Sequence, residues 1–121
     1  MPKLCAQARR LRIYLGESDH YKNKSLFNAI VMKAKELDIA GASVFRGIEG
    51  YGAHSRIHTA SIVDLSADLP ILVEIVDSQE YIDKILPFLD EVMTGGMITI
   101  DDVEVIRYRG DSEQCAVNSG Q

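Results

Sequence analysis

Residues that could do chemistry are densest in Arg46-Gly47-Ile48-Glu49-Gly50-Tyr51-Gly52, followed by Ala53-His54-Ser55-Arg56-Ile57-His58-Thr59. Three glycines in six residues let the backbone take positive φ and turn successive N–H groups toward one point, where they can cradle an anion. Arg46 and Arg56 add positive charge beside it. The spacing is not a dinucleotide fingerprint, because no helix follows to aim its N-terminus at a pyrophosphate. A hairpin bend with a bulge would use the same glycines, so this stretch alone leaves both readings open.

Arg107 and Arg109 stand two apart in an extended segment, which sends both guanidinium forks off one face. Such a pair suits phosphate or carboxylate, and equally describes two solvated arginines at a strand end. His54 and His58 are four apart, a spacing that aligns metal ligands on a helix, whereas their surroundings read as loop; they are weak metal candidates. Asp101-Asp102 point to opposite faces of a strand and read as a solvated bend rather than an acid/base pair. With no G-x-S-x-G elbow, Walker loop or H-E-x-x-H motif and no visible nucleophile, the expectation is a protein that is not an enzyme.

The chain that must position these groups has 121 residues, 46% hydrophobic and 26% charged, which is the size and composition of one globular domain. A formal charge of −5 argues against nucleic acid as a partner, because sequence-independent binding draws on Lys and Arg. The first twelve residues run against that average, with Lys3, Arg9, Arg10 and Arg12 and no acid. Cys5 and Cys115 lie near opposite ends and read as free thiols in a reducing compartment. No apolar run reaches the ~18–20 residues of a membrane span and no signal-peptide pattern opens the chain, so a cytoplasmic protein is expected.

Residues 1–8 and 110–121 lack periodicity and are expected to be flexible, leaving 9–109 as the domain. Leu11, Ile13 and Leu15 alternate as in a half-buried strand. A helix is predicted from Lys24 to Asp38, capped by Asn23, with Phe27, Ile30, Val31, Ala34 and Leu37 as its apolar stripe. A second strand is predicted around Ser43-Val44-Phe45-Arg46 and a third from Leu69 to Val76. Asp77 and Glu80 resemble a capping box for a second helix ending near Val92, with Ile82, Ile85, Leu86, Leu89 and Val92 on one face and Pro87 as an expected kink. Met97 to Arg109 reads as a long last strand bent at Asp101-Asp102. This order predicts an α+β fold, the ferredoxin-like βαββαβ plait: a four-stranded antiparallel sheet with two helices on one face.

Helices on one face should leave the other polar in a monomer. The third strand departs from this: Ile71, Val73 and Ile75 point one way, Leu72 and Val76 the other, with Glu74 between them. In the last strand Val103 and Val105 oppose Ile106 and Tyr108. The pattern predicts an open face covered by other copies of the chain, the alternative being that loop 53–68 folds back across it.

The segments FRGIEGYG, SRIHT, LPILVEIVD and DEVMTGGMITIDDVEVIRY together resemble the PII-like proteins of domain-of-unknown-function family 190 (UPF 0166), over Leu11 to Arg109. More distantly the chain is similar to the nitrogen-regulatory PII proteins, ferredoxin-like trimers that bind adenine nucleotides between subunits and touch targets with a long mobile loop. The resemblance implies a homotrimeric signalling protein without a resident cofactor. Its clefts would take a small anionic metabolite, an adenine nucleotide among the candidates, and its partner would be a membrane transporter. Gly50-Tyr51-Gly52 matches the base of the PII loop, making Ala53 to Asp68 the loop. His54 stands where PII has a glutamine serving 2-oxoglutarate binding, and Arg107 and Arg109 match an arginine pair near the nucleotide phosphates. Two phosphate-gripping lysines of PII are replaced by Ile71 and Met97, and Thr94-Gly95-Gly96 is shorter than the PII glycine loop. The expected ligand set is Arg46, Gly47, Gly50, Gly52, His54, Gly95, Gly96, Arg107 and Arg109. The alternative is a divalent-metal-binding trimer resembling the cation-tolerance proteins of the same plait, with His54 and His58 as ligands.

Overall fold

The computed structural model describes residues 6–51, 58–59, 68–109 and 114–116. Strands β1 (Ala6–Gly16), β4 (Gly41–Arg46), β7 (Pro70–Asp77) and β8 (Met97–Val105) form one antiparallel sheet in the order β4-β7-β1-β8. Helix α1 (Leu26–Glu36) crosses from β1 to β4, and α2 (Gln79–Val92) from β7 to β8. This is the expected ferredoxin-like plait. Both helices pack on the face carrying Leu11, Ile13, Leu15, Ile71, Val73 and Ile75, and close it with Leu26, Ile30, Ala34, Ile82, Ile85, Leu89 and Val92. Each fully buried side chain of this size is worth ~1.5–3 kcal/mol, so this layer is the core.

The local signals differ from expectation in three places. Asn23 does not cap α1; with Lys22 it takes positive φ (66° and 49°) between β2 (His20–Tyr21) and β3 (Lys24–Ser25), and Ser25 holds the cap position. Two positive-φ residues make the tight hairpin turn whose twist suits antiparallel strands, a conformation asparagine tolerates. At the other end of α1, Asp38 adopts φ 64° and stops the helix before Gly41. The cap of α2 is Ser78, whose hydroxyl accepts from the Tyr81 N–H, while Asp77 is fully buried and accepts from the Ala40 and Ser78 N–H groups. Helix α2 runs through Pro87, which is exposed.

The last strand does not bend at Asp101-Asp102. It ends at Val105, Ile106 interrupts it, and β9 (Arg107–Arg109) pairs instead with β10 (Gln114–Ala116). Asp101 and Asp102 are register partners of Arg10 and Arg9 on β1 and form ion pairs with them, the Arg10–Asp101 contact at 2.7 Å. Arg9 and Arg10 are thus paired with the acidic stretch of β8, and Arg12 with Glu74 of β7. Ordered strand also lies within the segments expected to be flexible: β1 begins at Ala6, and β10 falls inside 110–121. Cys115 is in β10 opposite Tyr108, and Cys5 lies outside the described residues. No helix among the described residues is long and apolar enough to cross a membrane.

Candidate functional site

Strand directions decide where each candidate residue goes. The C-terminal ends of β1 and β4 lie beside the N-terminal ends of β7 and β8, as the pairs Gly16↔Pro70, Arg46↔Ile71 and Tyr14↔Met97 show. Arg46, Gly47, Gly50, Gly95 and Gly96 therefore gather at this end of the sheet. Arg107 and Arg109 follow Val105, the partner of Ala6, and stand at the other end. The two ends of β8 are roughly 27 Å apart at ~3.4 Å per residue. Tyr108 fixes the second group, its hydroxyl donating to the Ala40 carbonyl at 3.4 Å.

At the first end Gly47 and Gly50 serve close approach rather than unusual φ. Gly47 and Gly50 lack positive φ, contrary to the expected cradle of left-handed glycines. They face Pro70 instead: a Cβ at Gly47 would come within 2.8 Å of the Pro70 ring, and one at Gly50 within 3.1 Å. The Gly47 N–H donates to the Pro70 carbonyl at 2.7 Å, so it is already engaged. Gly96 is the position that needs glycine conformationally, with φ 89° and a Cβ that would meet the Tyr14 carbonyl oxygen at 2.4 Å. Gly95 has open space around it.

Charge at this end is organised by Glu17, which sequence reasoning did not single out, and by Asp68, the end of the expected loop. Glu17 accepts from the Arg46 guanidinium at 2.5 Å, with the two side chains 29% and 60% exposed. The Asp68 carboxylate accepts from the Ser18 N–H at 2.7 Å and packs against Gly16, where a Cβ would lie 2.8 Å from it. The Glu17 N–H donates to the Leu69 carbonyl at 2.9 Å. The polar turn after β1 is thereby tied to the start of β7. Its signal in the sequence was the acidic Glu17 and Asp19 directly after the strand, which became informative only once the pairing with Arg46 was known.

Short strand β5 (Glu49–Gly50) pairs with β6 (His58–Thr59), which sets His58 opposite Gly50. Gly52 and His54 lie outside the described residues, as does the side chain of Arg109. Among the described residues no three His, Cys, Asp or Glu side chains come together as a metal set.

The sheet face without helices carries an uninterrupted apolar row across all four strands. Phe45, Leu72, Tyr14 and Met97 are successive register partners on β4, β7, β1 and β8. Phe45 and Met97 are 50% and 54% exposed. The next row holds Ser43, Glu74, Arg12 and Thr99, with an Arg12–Glu74 ion pair of 3.1 Å, and the one after it the Arg10–Asp101 pair.

Solved structures with the same chain path include CPII, a nitrogen regulatory PII-like protein from Thiomonas intermedia K12 bound to ADP, AMP and bicarbonate. It aligns with TM-score 0.57 at 14% identity, over 82% of this chain and 94% of that one. TTHA0516 from Thermus thermophilus, described as PII-like in signalling, aligns with TM-score 0.59 at 21% identity, over 83% and 90%. At these identities the likeness establishes the fold. Sequence relatives are nearer. A UPF0166 protein from Aquifex aeolicus (strain VF5) is 40% identical over 98 residues, covering 79% of this chain and 90% of the relative. UPF0166 protein MJ1524 from Methanocaldococcus jannaschii is 37% identical over 107 residues, covering 88% and 96%. The DUF190 family model, described as Uncharacterized ACR, COG1993, matches residues 8–105. On that match and those relatives, the chain belongs to the DUF190 (UPF0166) family.

Proposed function

We propose that this protein is a non-enzymatic, cytoplasmic regulatory homotrimer that binds a small anionic effector, an adenine nucleotide among the candidates, in clefts between subunits. The observation that carries this reading is the separation of its candidate ligands. Arg46 and the glycines stand at one end of the sheet and Arg107 and Arg109 at the other, roughly 27 Å away along β8. A small-molecule pocket of ~300–1,000 Å3 is about 10 Å across. One subunit cannot bring both groups to one ligand; the Arg46 end of one copy and the Arg107 end of the next can. The apolar row Phe45-Leu72-Tyr14-Met97 supplies a surface for that association, since a contiguous apolar strip left wet is unfavourable.

CPII, of the same fold, is bound to ADP, AMP and bicarbonate, which makes these the first ligands to try. The effector acts by its differential affinity for two conformations of the segment between Gly50 and Asp68, and that segment passes the signal to a target such as a membrane transporter.

The test is subunit complementation. Arg46→Ala and Arg107→Ala homomers should each bind the effector weakly by calorimetry, while co-assembled mixed oligomers recover part of the wild-type sites. Light scattering that shows a monomer at micromolar concentration, or mixed oligomers that recover nothing, removes the intersubunit site.

A further inference from the structure

Away from the sheet ends, a hollow of about 280 Å3 lies between the β2–β3 hairpin and one flank of α1. Its walls are Tyr21, Lys22 and Lys24 of the hairpin, Met32 and Lys33 of α1, and Phe88 of α2. Ala29 and Glu36 complete the lining, and the Tyr21 and Phe88 rings meet edge to face at 5.8 Å. We infer that this hollow receives an acidic peptide segment of a partner protein, with one apolar side chain seated in it and carboxylates on either side.

Charge is the first argument. The hollow gathers three ammonium groups against the single carboxylate of Glu36, in a chain whose net charge is −5. A local field opposite in sign to the whole molecule steers an acidic partner to this spot and away from the rest of the surface. Lys33 pairs with Glu36 at 3.4 Å, and the described residues offer no carboxylate to Lys22 or Lys24. The ammonium groups are also positioned. The Lys22 ammonium lies over the Tyr21 ring at 5.3 Å from its centre and the Lys33 ammonium over Phe88 at 5.5 Å, so ring faces hold both charges at the hollow.

At about 280 Å3 the hollow has room for one anchoring side chain, and its ammonium groups, spread over the hairpin and α1, suit the several carboxylates of a peptide. Met32, 54% exposed, borders it, and the flexible thioether adapts to differently shaped apolar anchors. None of these residues belongs to the effector site proposed above, so the two readings stand or fall separately.

The experiment uses the full chain and a fluorescein-labelled Glu-Glu-Phe-Glu-Glu peptide, read by anisotropy, with the Met32 methyl resonance followed in parallel. Saturable binding that shifts Met32 is expected, weakened at least about tenfold (~1.4 kcal/mol) by combined Lys22→Glu, Lys24→Glu and Lys33→Glu. Replacing the peptide's Phe by Ala should weaken it as well, and Lys-Lys-Phe-Lys-Lys should not bind. If the triple variant loses its circular dichroism, the double variant Lys22→Gln, Lys24→Gln reads the same effect. No binding, or equal binding to the charge-reversed chain, overturns the proposal. So does a Met32 shift produced by inorganic pyrophosphate or phosphatidylserine vesicles but not by the peptide, which would assign the hollow to a phosphate ligand.

Discussion

Strand β7 meets two environments on alternate residues. Beneath the helices Ile71, Val73 and Ile75 are 3%, 0% and 0% exposed, whereas Leu72, Glu74 and Val76 on the other face are half-buried. Backbone and strand position are shared; what differs is the cover. On the helix side a continuous apolar layer results. On the open side the residues are graded, from the row through Phe45 and Met97 at the Arg46 end to ion pairs toward the Arg107 end. A surface meant only for water has no need of a four-strand apolar row, and a surface meant only for a core would not hold Arg12–Glu74. The combination has the makeup of an interface, with an apolar strip bordered by charged pairs that set orientation.

The largest effect is expected on the covered face. Ile75→Ala should cost about 2–5 kcal/mol in urea unfolding relative to wild type, the range for emptying a closed core, and the same cost at every protein concentration. Leu72→Ala is its counterpart on the open face. If copies of the chain cover that face, its cost should grow with protein concentration; a small cost at every concentration breaks the comparison in favour of a wet face.

A second variant places charge in the row itself. Phe45→Glu should leave far-UV circular dichroism intact and shift sedimentation velocity toward the monomer. Glu74→Ala sharpens this further, because it strands Arg12. On a wet face a pair of this exposure is worth ~0.2–1 kcal/mol, but beneath a partner the orphaned guanidinium costs about 3–5 kcal/mol. The difference between those values reports the cover directly.

Much of this architecture was legible because two periods dominate the chain. Leu11, Ile13 and Leu15 alternate, Ile82, Ile85, Leu89 and Val92 recur at helical spacing, and the order of those segments fixes the plait. What escaped depended on partners distant in sequence. Asn23 and Ser25 are both good capping residues, and the hairpin had the stronger claim on Asn23. Asp77 sits one residue before the true cap and is held by Ala40, thirty-seven positions away. Asp101 and Asp102 read as a solvated bend until the register set them against Arg10 and Arg9. For the site, the residue types were visible, but grouping Arg46 with Arg107 ignored the nine residues of β8 that lie between Gly96 and Ile106.

The open face and the sheet end also differ in how their ion pairs should respond. Glu17 holds Arg46 at 2.5 Å and so competes with any anion for that guanidinium. Glu17→Gln removes the competitor, and a several-fold gain in affinity for ADP is expected by calorimetry, abolished when Arg46→Ala is added. A gain that survives Arg46→Ala would show that Glu17 acts through bulk charge instead.

The smallest effect belongs to Arg10–Asp101, and its sign can be derived. The hydrogen bond from Arg10 holds the Asp101 carboxyl below its ordinary value, against a smaller opposing effect of desolvation, and raises Arg10 in turn. A carboxylate whose folded value is depressed contributes stability that is fully present above its unfolded value, near 3.8 here, and is lost as pH falls through the folded value. Between neutral pH and about pH 5 the contribution should therefore be flat, and it should fade only in stronger acid. Asp101→Asn should lower the melting temperature slightly at neutral pH, with wild type and variant converging as pH drops below that range. Because the pair is solvent-exposed, added salt should shrink the neutral-pH difference. If salt leaves it unchanged while dilution abolishes it, the pair lies under a second copy of the chain, and the interface extends beyond the apolar row.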